Sequence, residues 1–293
     1  MDLTLKLFCD TVGAMSVSDL DASLIRNALT TQHLGHPVLF WPVVDSTMDE
    51  ARRLIARNSP AGIPEGTLLV ADEQTGGRGR LQRSWWAPPA SSLLLSLIFR
   101  PLLAPHQAQR VTMICSLAVC DAISEQSGLN PQVKWPNDVL IERRKVCGIL
   151  TELDLLGSEL KHVIVGIGIN VNTDFCAAPP LMSPATSLLA ETGHATSRLD
   201  LLTALLASLE RRYAALRDGQ SFHHEWASRM ATLGERVEVA SGPEHWTGMA
   251  AGVDPDGALL VRMDDGNTQR ILAGDVTLRS PEGVCQMPLD RDS

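Results

Sequence analysis

The stretch TGGRGRLQRSWWAPP, residues 75–89, contains three glycines, three arginines and two tryptophans. It belongs to a chain of 293 residues whose formal net charge is -9. The segments before and after it, TLLVADEQ and SLLLSLIF, have the composition of β-strands, so the stretch is predicted to be a loop between two strands. Clustered fixed cations on a glycine-rich loop of an acidic chain suggest a specific anionic ligand.

The residue types in this loop suit an anion. Its glycines reach positive φ and carry no Cβ, so successive N–H groups can converge on a ligand. Arg78 and Arg80 add permanent charge and forked donors for phosphate or carboxylate oxygens. The loop is not a P-loop, because GxxxxGK followed by Ser or Thr is absent. Two interpretations remain open: a mobile loop that phosphate orders, or a solvated turn whose arginines pair with acids such as Asp72 and Glu73.

Composition restricts the class of protein. Hydrophobic residues make up 44% of the chain and charged residues 20%, and no apolar run is long enough to span a bilayer. The six cysteines form no CxxC pair, which disfavours a zinc site and a disulfide framework and predicts a reducing, cytoplasmic location. The start of the chain does not have the pattern of a secretory signal. The acidic balance disfavours broad nucleic-acid binding, so DNA is not expected as a partner.

Periodicity predicts a mixed α/β core that starts with VLFWPVV. A capping box from Thr47 to Glu50 predicts a helix start, and helical spacing predicts core helices over RVTMICSLAVCDAI and residues 199–216. Four short strands are predicted at QVKW, DVLIE, KVCGILTELDLL and HVIVGIGINVN. A short helix is also predicted near the N-terminus, beginning at Ser16 or Ser18.

Near residue 233 the pattern changes to short strands joined by the tight-turn sequences DPDG and DDGN, which predicts a small β-barrel or sandwich. The predicted division is an N-terminal extension at 1–37, a catalytic domain at 38–231, a β-barrel at 232–285 and a tail at 286–293.

Three further clusters could carry chemistry. Lys134 ends a predicted strand before a Pro-Asn-Asp turn, where sheet proteins often place functional groups, although a plain surface lysine fits too. Lys145, shortly before Gly148, is a second candidate for a functional cation, with a plain charge on an edge strand as the alternative. Gly166 and Gly168 in GIGIN make a weak dinucleotide fingerprint and fit better as a bare strand that a flat ligand or another backbone approaches.

In this order, the strings DST, EQTGGRGRLQRSW, KWPNDVLIERRKVCGIL and GIGINVN resemble the biotin protein ligases over most of residues 40 to 285. The resemblance implies an α/β (α+β) fold: a class II synthetase-like catalytic domain with a mixed central sheet and helices, followed by a small Src-homology-3-like β-barrel. It also implies that the biotin carboxylate attacks the α-phosphate of ATP, which gives biotinyl-5′-AMP and pyrophosphate. A lysine of a biotin carboxyl carrier protein, expected to be that of acetyl-CoA carboxylase, then takes the biotinyl group. Mg²⁺ is expected with ATP, and no residue is assigned as its ligand.

The resemblance assigns roles to individual residues, with Lys134 and Arg80 as catalytic groups and Lys134 bridging the carboxylate and the α-phosphate. The residues implied for biotin binding are Ser46, Thr47, Gln74, Arg78, Gly79, Arg80, Lys134 and Gly148. Those implied for ATP or adenylate binding are Gly77, Arg78, Arg80, Arg83, Trp85, Asn137, Lys145 and Asn170. Ser46, Thr47 and Gln74 would hydrogen-bond the ureido ring, with helix capping as the alternative for Thr47. Trp85 would stack or pack near the adenine, with core packing as the alternative.

The sequence departs from the family pattern at Met48, Leu81 and Gln82, which puts one pocket contact in doubt and predicts a stiffer loop. Some family members carry an N-terminal DNA-binding domain and repress transcription. Residues 1–37 are fewer than the roughly 60 residues of a small independent domain, so a ligase without repressor activity is expected. The alternatives are a biotin-dependent transcriptional regulator and a lipoate or octanoate ligase of the same fold. The family often dimerises through a sheet edge, so a homodimer is a possible assembly.

Overall fold

The computed structural model describes residues 19–58, 62–181 and 183–278. The helices are α1 (Ala22–Ala28), α2 (Thr47–Arg57), α3 (Gln109–Ser127), α4 (Leu188–Thr192), α5 (Arg198–Arg217) and α6 (His223–Ser228). The strands are β1 (Val38–Val44), β2 (Leu68–Gln74), β3 (Ser92–Phe99), β4 (Gln132–Lys134), β5 (Asp138–Ile141), β6 (Arg144–Leu156), β7 (Glu159–Asn170), β8 (Arg236–Ser241), β9 (Glu244–Val253), β10 (Leu259–Met263), β11 (Thr268–Ile271) and β12 (Asp275–Leu278).

The first two described helices begin at Ala22 and Thr47. Ser16 and Ser18 lie outside the described residues, and α1 begins at Ala22 with Asp21 as its N-cap. At α2 the N-cap is Ser46, whose Oγ accepts the N–H of Asp49 at 3.4 Å, so the predicted capping box that began at Thr47 is wrong. The hydroxyl of Thr47 is instead engaged with the sheet.

The main sheet has seven strands in the order β1-β2-β3-β7-β6-β5-β4. β1 and β2 run parallel, and every other neighbouring pair is antiparallel, which confirms the predicted mixed sheet. β6 and β7 have 13 and 12 residues, so the prediction of short strands is wrong for them. They extend because they pair with each other along nearly their whole length and are joined by a tight turn at Gly157, where φ is +62°.

Helices cover both faces of this sheet. On β2, Leu68 and Val70 join the larger core cluster with residues of α3 and α5. Leu69, between them, joins a smaller cluster with Met48 and Ala51 of α2, as alternation along a strand requires. The N-terminus of α2 is therefore held beside the end of β2, where the arginine-rich loop begins. Within the described part of the chain, no helix is both long and apolar enough to cross a membrane.

The C-terminal strands form a separate five-stranded antiparallel sheet in the order β11-β10-β9-β8-β12, which confirms the predicted small β domain. The prediction missed β12, a strand of only four residues. Trp135 fixes this sheet to the main one: its indole Nε1 donates to the carbonyl of Gly257 at 2.9 Å, and its side chain is buried. β12 consequently lies beside the arginine-rich loop.

Candidate active site

Residues 75–91, called here the arginine–glycine loop, join β2 to β3 as predicted. The loop folds back on itself: the N–H of Gly79 donates to the carbonyl of Arg83 at 2.7 Å, and the N–H of Trp85 donates to that of Gly77 at 2.9 Å. At its tip, Leu81 has φ +53° and an exposed fraction of 71%. The loop thus has a defined hairpin form, while its mobility before a ligand binds stays a prediction.

Arg78 is paired with carboxylates of α2 and β6. Its guanidinium forms a two-pronged ion pair with Asp49, in which Nη2 lies 2.8 Å from Oδ1, and Nη2 is 3.5 Å from Glu152. The alternative that the loop arginines pair with Asp72 and Glu73 is wrong for this residue, because the loop turns away from β2 and meets the first turn of α2 instead.

Arg80 and Arg83 reach the C-terminal sheet. Nη1 of Arg80 donates to the carbonyl of Gly274 at 3.0 Å and lies 3.7 Å from the carboxylate of Asp275. Arg83 forms an ion pair with the same carboxylate. Burial lowers the pKa of the Arg80 guanidinium, and Asp275 acts in the opposite direction. Two loop cations therefore share one carboxylate of β12, and an arriving phosphate would have to compete with it.

Two lysines lie near this cluster. Lys134 is the last residue of β4, as predicted, and burial lowers the pKa of its ammonium group, with Asp138 opposing the shift. Nζ of Lys145 is 2.7 Å from Asp138 and 5.5 Å from the centre of the Trp85 ring. Lys145 is on β6, between β5 and β7, so its interpretation as an edge-strand charge is wrong.

The indole of Trp85 packs closely against glycine positions of two strands. Gly148 and Gly168 are register partners on β6 and β7. A Cβ at Gly148 would lie 2.9 Å from the indole, and one at Gly168 would lie 2.7 Å from it. Among the described residues, the buried Nε1 of Trp85 has no hydrogen-bond partner. The sequence predicts a flat ligand or another backbone over Gly166 and Gly168. In this structure the neighbours are instead side chains, the indole of Trp85 at Gly168 and the thioether of Met48 at Gly166.

A hydrogen-bonded cluster of Thr47, Gln74 and Ser96 lies at the other end of the loop; it is the candidate binding pocket and is called here the polar pocket. Both the N–H and the hydroxyl of Thr47 donate to Oε1 of Gln74, at 2.7 and 3.0 Å. The hydroxyl of Thr47 accepts in turn from Ser96 at 2.8 Å. These contacts fix Oε1 of Gln74, and its amide nitrogen faces Gly77, since a Cβ there would lie 3.2 Å from Nε2. The pocket can therefore present an amide donor to a ligand that carries a carbonyl.

Two asparagines support the surrounding backbone. The side chain of Asn137 donates to the carbonyl of Ile149 at 2.6 Å, and its oxygen is 3.4 Å from Arg80. Buried Asn170 donates to the carbonyl of Thr186 at 3.0 Å, while its Oδ1 lacks a hydrogen-bond partner among the described residues. A cavity of about 300 Å³ lies beside Arg80 and Asn137, and Leu272 and Ala273, which connect β11 to β12, also line it.

Two family models match the chain. The model of the biotin/lipoate A/B protein ligase family matches residues 40–170, and the model of the biotin protein ligase C-terminal domain matches residues 232–279. The chain is 35% identical over 225 residues to a biotin–acetyl-CoA-carboxylase ligase of Paracoccus denitrificans, covering 74% of this chain and 91% of the relative. The chain belongs to the biotin protein ligase family.

Two further comparisons agree with this membership. The chain is 34% identical over 265 residues to the bifunctional ligase/repressor BirA of Bacillus subtilis (strain 168), covering 88% of this chain and 79% of that one. A biotin protein ligase from Aquifex aeolicus, solved in complex with biotin and ATP, matches with a TM-score of 0.69 and 31% identity. The match covers 83% of this chain and 99% of the Aquifex chain.

Within this ligase, direct contacts connect several of the residues that the sequence singles out. Thr47 and Gln74 touch the start of the loop, Trp85 connects it to Lys145 and the bare strands, and Arg80 connects it to Asn137. Ser46 differs from these residues, because its hydroxyl caps α2.

Sequence reasoning missed Ser96 and the acids that hold the loop arginines. The one local sign of a role for Ser96 is its polar side chain inside the leucine-rich strand SLLLSLIF. Asp49, Glu152 and Asp275 had no such sign, because they come from three elements far apart in the chain.

Proposed function

We propose that this chain is an ATP-dependent biotin protein ligase that activates biotin as biotinyl-5′-AMP and transfers it to a lysine of a biotin carboxyl carrier protein. The observation that carries the proposal is the convergence of loop arginines, two lysines and the Thr47–Gln74 pocket around one region of the sheet. The names of the relatives from Paracoccus and Aquifex support the same chemistry.

The first step joins two anions, so the protein must offset their repulsion. A carboxylate oxygen of biotin attacks the α-phosphorus of ATP, and the bond to the pyrophosphate leaving group breaks. Negative charge grows on the phosphate oxygens, and fixed cations aimed there lower the barrier. We assign Arg80 and Lys134 to this role and Arg78, Arg83 and Lys145 to binding, and each arginine exchanges an internal carboxylate for a ligand anion.

In the second step, the neutral amine of the acceptor lysine attacks the acyl carbon of the mixed anhydride. The acyl–oxygen bond breaks, AMP leaves, and the amine loses a proton. The loop with Trp85 covers the bare strands at Gly148 and Gly168, and we infer that it keeps water from the anhydride.

The polar pocket favours biotin over an apolar acid. The ureido ring of biotin has a carbonyl and two N–H groups, and these need partners to replace water. Gln74 offers an amide donor toward the loop, and Thr47 fixes its orientation. Lipoate and octanoate would leave this donor unpaired.

Magnesium is expected as the complex of ATP, because Mg²⁺ commonly binds through phosphates and keeps several waters. The described residues hold no group of three metal-ligating side chains, and Asp138 and Asp275 are already paired with cations. No protein ligand is assigned to it. We place the reaction in the cytoplasm and propose the carrier of acetyl-CoA carboxylase as acceptor, after the named relative.

The test is transfer of biotin to a purified carrier domain in the presence of ATP, measured as the increase in mass of the carrier. Lys134→Ala and Arg80→Ala should lose transfer, whereas Arg236→Ala, which pairs with Asp264 on the C-terminal sheet, should keep it. Pyrophosphate release with biotin, lipoate and octanoate separates the acyl alternatives. Release with lipoate but not with biotin would refute the proposal, and tight, salt-sensitive binding of operator-like DNA by the adenylate-loaded chain would reveal a repressor.

A further inference from the structure

One buried arginine fastens both stems of the arginine–glycine loop. Arg198 is the first residue of α5, and its side chain is 1% exposed. Its Nη1 donates to Oδ1 of Asp72 at 2.9 Å and to the carbonyl of Ser92 at 3.2 Å. Asp72 lies on β2 just before the loop, and Ser92 opens β3 just after it. A single guanidinium therefore holds the strand that enters the loop and the strand that leaves it.

Asp72 has a second connection to the loop. Its carbonyl accepts the N–H of Ala90, near the end of the loop, at 3.1 Å. Gln74, which forms the polar pocket with Thr47, follows two residues later on the same strand. A displacement of Asp72 would therefore move both the pocket and the base of the loop.

A further partner of Arg198 comes from the segment before the catalytic core. Nε of Arg198 donates to Oδ1 of Asp19 at 2.6 Å, and its backbone N–H donates to the other carboxylate oxygen at 3.3 Å. Asp19 precedes α1 and lies outside residues 40–170, which match the family model. Farther along, the carboxylate of Glu210 on α5 accepts three successive N–H groups, those of residues 32–34, at 2.8 Å each. The N-terminal segment is thus attached to α5 at two places.

Packing alone does not account for this charge cluster. Burying an ion pair has a desolvation cost, and well-packed apolar residues of similar volume often stabilise a fold as well. Charged partners do fix relative positions, because a guanidinium bound to acceptors on several elements restricts how those elements can be arranged.

We propose that Arg198 is a positioning residue for the arginine–glycine loop, and that Asp19 makes the N-terminal segment a working part of the ligase. The unit of Arg198, Asp72 and Asp19 is called the Arg198 clamp. It holds the loop at the spacing at which Gln74 and the loop arginines meet their ligands. The inference rests on the proposed function for its kinetic readout, and a second readout is independent of activity.

The experiment uses the full chain and four variants: Arg198→Met, Arg198→Lys, Asp19→Asn and Arg212→Met. Arg212 is the matched control, because it lies on the same helix, is largely buried and pairs with Asp121 and Glu225 away from the loop. One readout is limited trypsin cleavage at Arg78, Arg80 and Arg83 without ligands. The other is the split between KM for biotin and kcat in pyrophosphate release, since small misplacements of binding groups can cost up to about 100-fold in rate.

Arg198→Met should accelerate loop cleavage and raise KM for biotin by about 10-fold. Arg198→Lys, which keeps the charge, should show slower loop cleavage and a lower KM for biotin than Arg198→Met. Asp19→Asn should change the cleavage rate and KM in the same direction as Arg198→Met. Arg212→Met should lower the melting temperature without either effect.

Equal effects of Arg198→Met and Arg212→Met would overturn the positioning role, and an unchanged Asp19→Asn variant would overturn the role of the N-terminal segment. If Arg198→Met does not fold, the comparison of Arg198→Lys with Arg212→Met decides the positioning role, and equal effects of these two overturn it. Asp19→Asn still decides the role of the N-terminal segment, because the Asp19 side chain is 45% exposed and its loss is tolerable. If the native chain releases no pyrophosphate with biotin, the proposed function fails, while loop cleavage still tests the Arg198 clamp.

Discussion

At the scale of single residues, charge and burial act together at Lys134. A lysine at a strand end is ordinary, but burial lowers the pKa of this ammonium group. The groups that interact with it electrostatically are Asp138, Lys145, Asp275 and Arg83, so its charge is set by the whole cluster. In our account the cationic form is the active one, and it is lost as the pH rises through the lowered pKa.

Lys134→Arg tests this reading through the pH profile. Arginine stays protonated at alkaline pH, so the alkaline decline of adenylation should move to higher pH in the variant, even if its maximal rate is lower. Initial rates of pyrophosphate release across the alkaline range measure the shift. If the rates of both proteins decline at the same pH, another group controls the alkaline decline. Lys134→Ala should be slow at every pH.

Thr47→Val tests the polar pocket. The valine removes the hydroxyl that donates to Gln74 and accepts from Ser96, which leaves buried polar groups unpaired at a cost of about 1–3 kcal/mol. KM for biotin should rise while kcat changes less. Thr31→Val is the control, because that buried hydroxyl donates to the carbonyl of Leu34, outside the site. Equal KM values in the two variants would show that the pocket does not bind biotin.

At the scale of elements, the sequence predicts where the arginine–glycine loop and its flanking strands lie, but not which groups pair with the loop arginines. The loop between two strands, the strand end at Lys134 and the bare strand at Gly168 were all predictable from local composition and turn chemistry. The capping residue of α2 was not predictable, because Ser46 and Thr47 are both suitable N-caps. Ser96 of the sheet binds the hydroxyl of Thr47, and Ser46 caps the helix. The lengths of β6 and β7 likewise follow from pairing with each other, which no local pattern reports.

Gly168→Ala tests the packing of Trp85 on the strands. The added Cβ would lie 2.7 Å from the indole, so Trp85 must shift. We expect a loss of about 1–3 kcal/mol in the free energy of unfolding, together with weaker binding of biotin and ATP. Gly252→Ala on β9 is the control, because its Cβ would meet Leu260 at an ordinary 3.9 Å. Chemical denaturation and substrate titration measure both effects, and a Gly168→Ala variant as stable and active as the control would contradict the packing argument.

At the scale of the whole molecule, the C-terminal sheet takes part in the site. Asp275 of β12 pairs with Arg80 and Arg83, and the carbonyl of Gly274 accepts from Arg80. The sequence predicted a small β domain near this position but not that it holds the loop cations. Such contacts depend on how the two sheets meet, which Trp135 and Gly257 fix at a distance from the loop.

Asp275→Asn should loosen the arginine–glycine loop in the absence of ligands. Partly exposed ion pairs contribute only about 1 kcal/mol or less, so the melting temperature should hardly change. Amide hydrogen exchange at residues 78–85 should accelerate, and saturating biotin and ATP should remove the difference. Asp264→Asn, whose ion pair with Arg236 is away from the loop, is the control. Identical exchange in both variants would mean that β12 does not hold the loop.

In the proposed mechanism, fixed cations of the arginine–glycine loop bring the biotin carboxylate and the α-phosphate of ATP together. Biotin-dependent exchange of labelled pyrophosphate into ATP isolates this step from transfer to the carrier. We expect exchange only when biotin is present, a fall of about 100- to 1000-fold in Arg80→Ala, and no comparable fall in Arg236→Ala. Exchange at the native rate in Arg80→Ala, or exchange that does not need biotin, would contradict it.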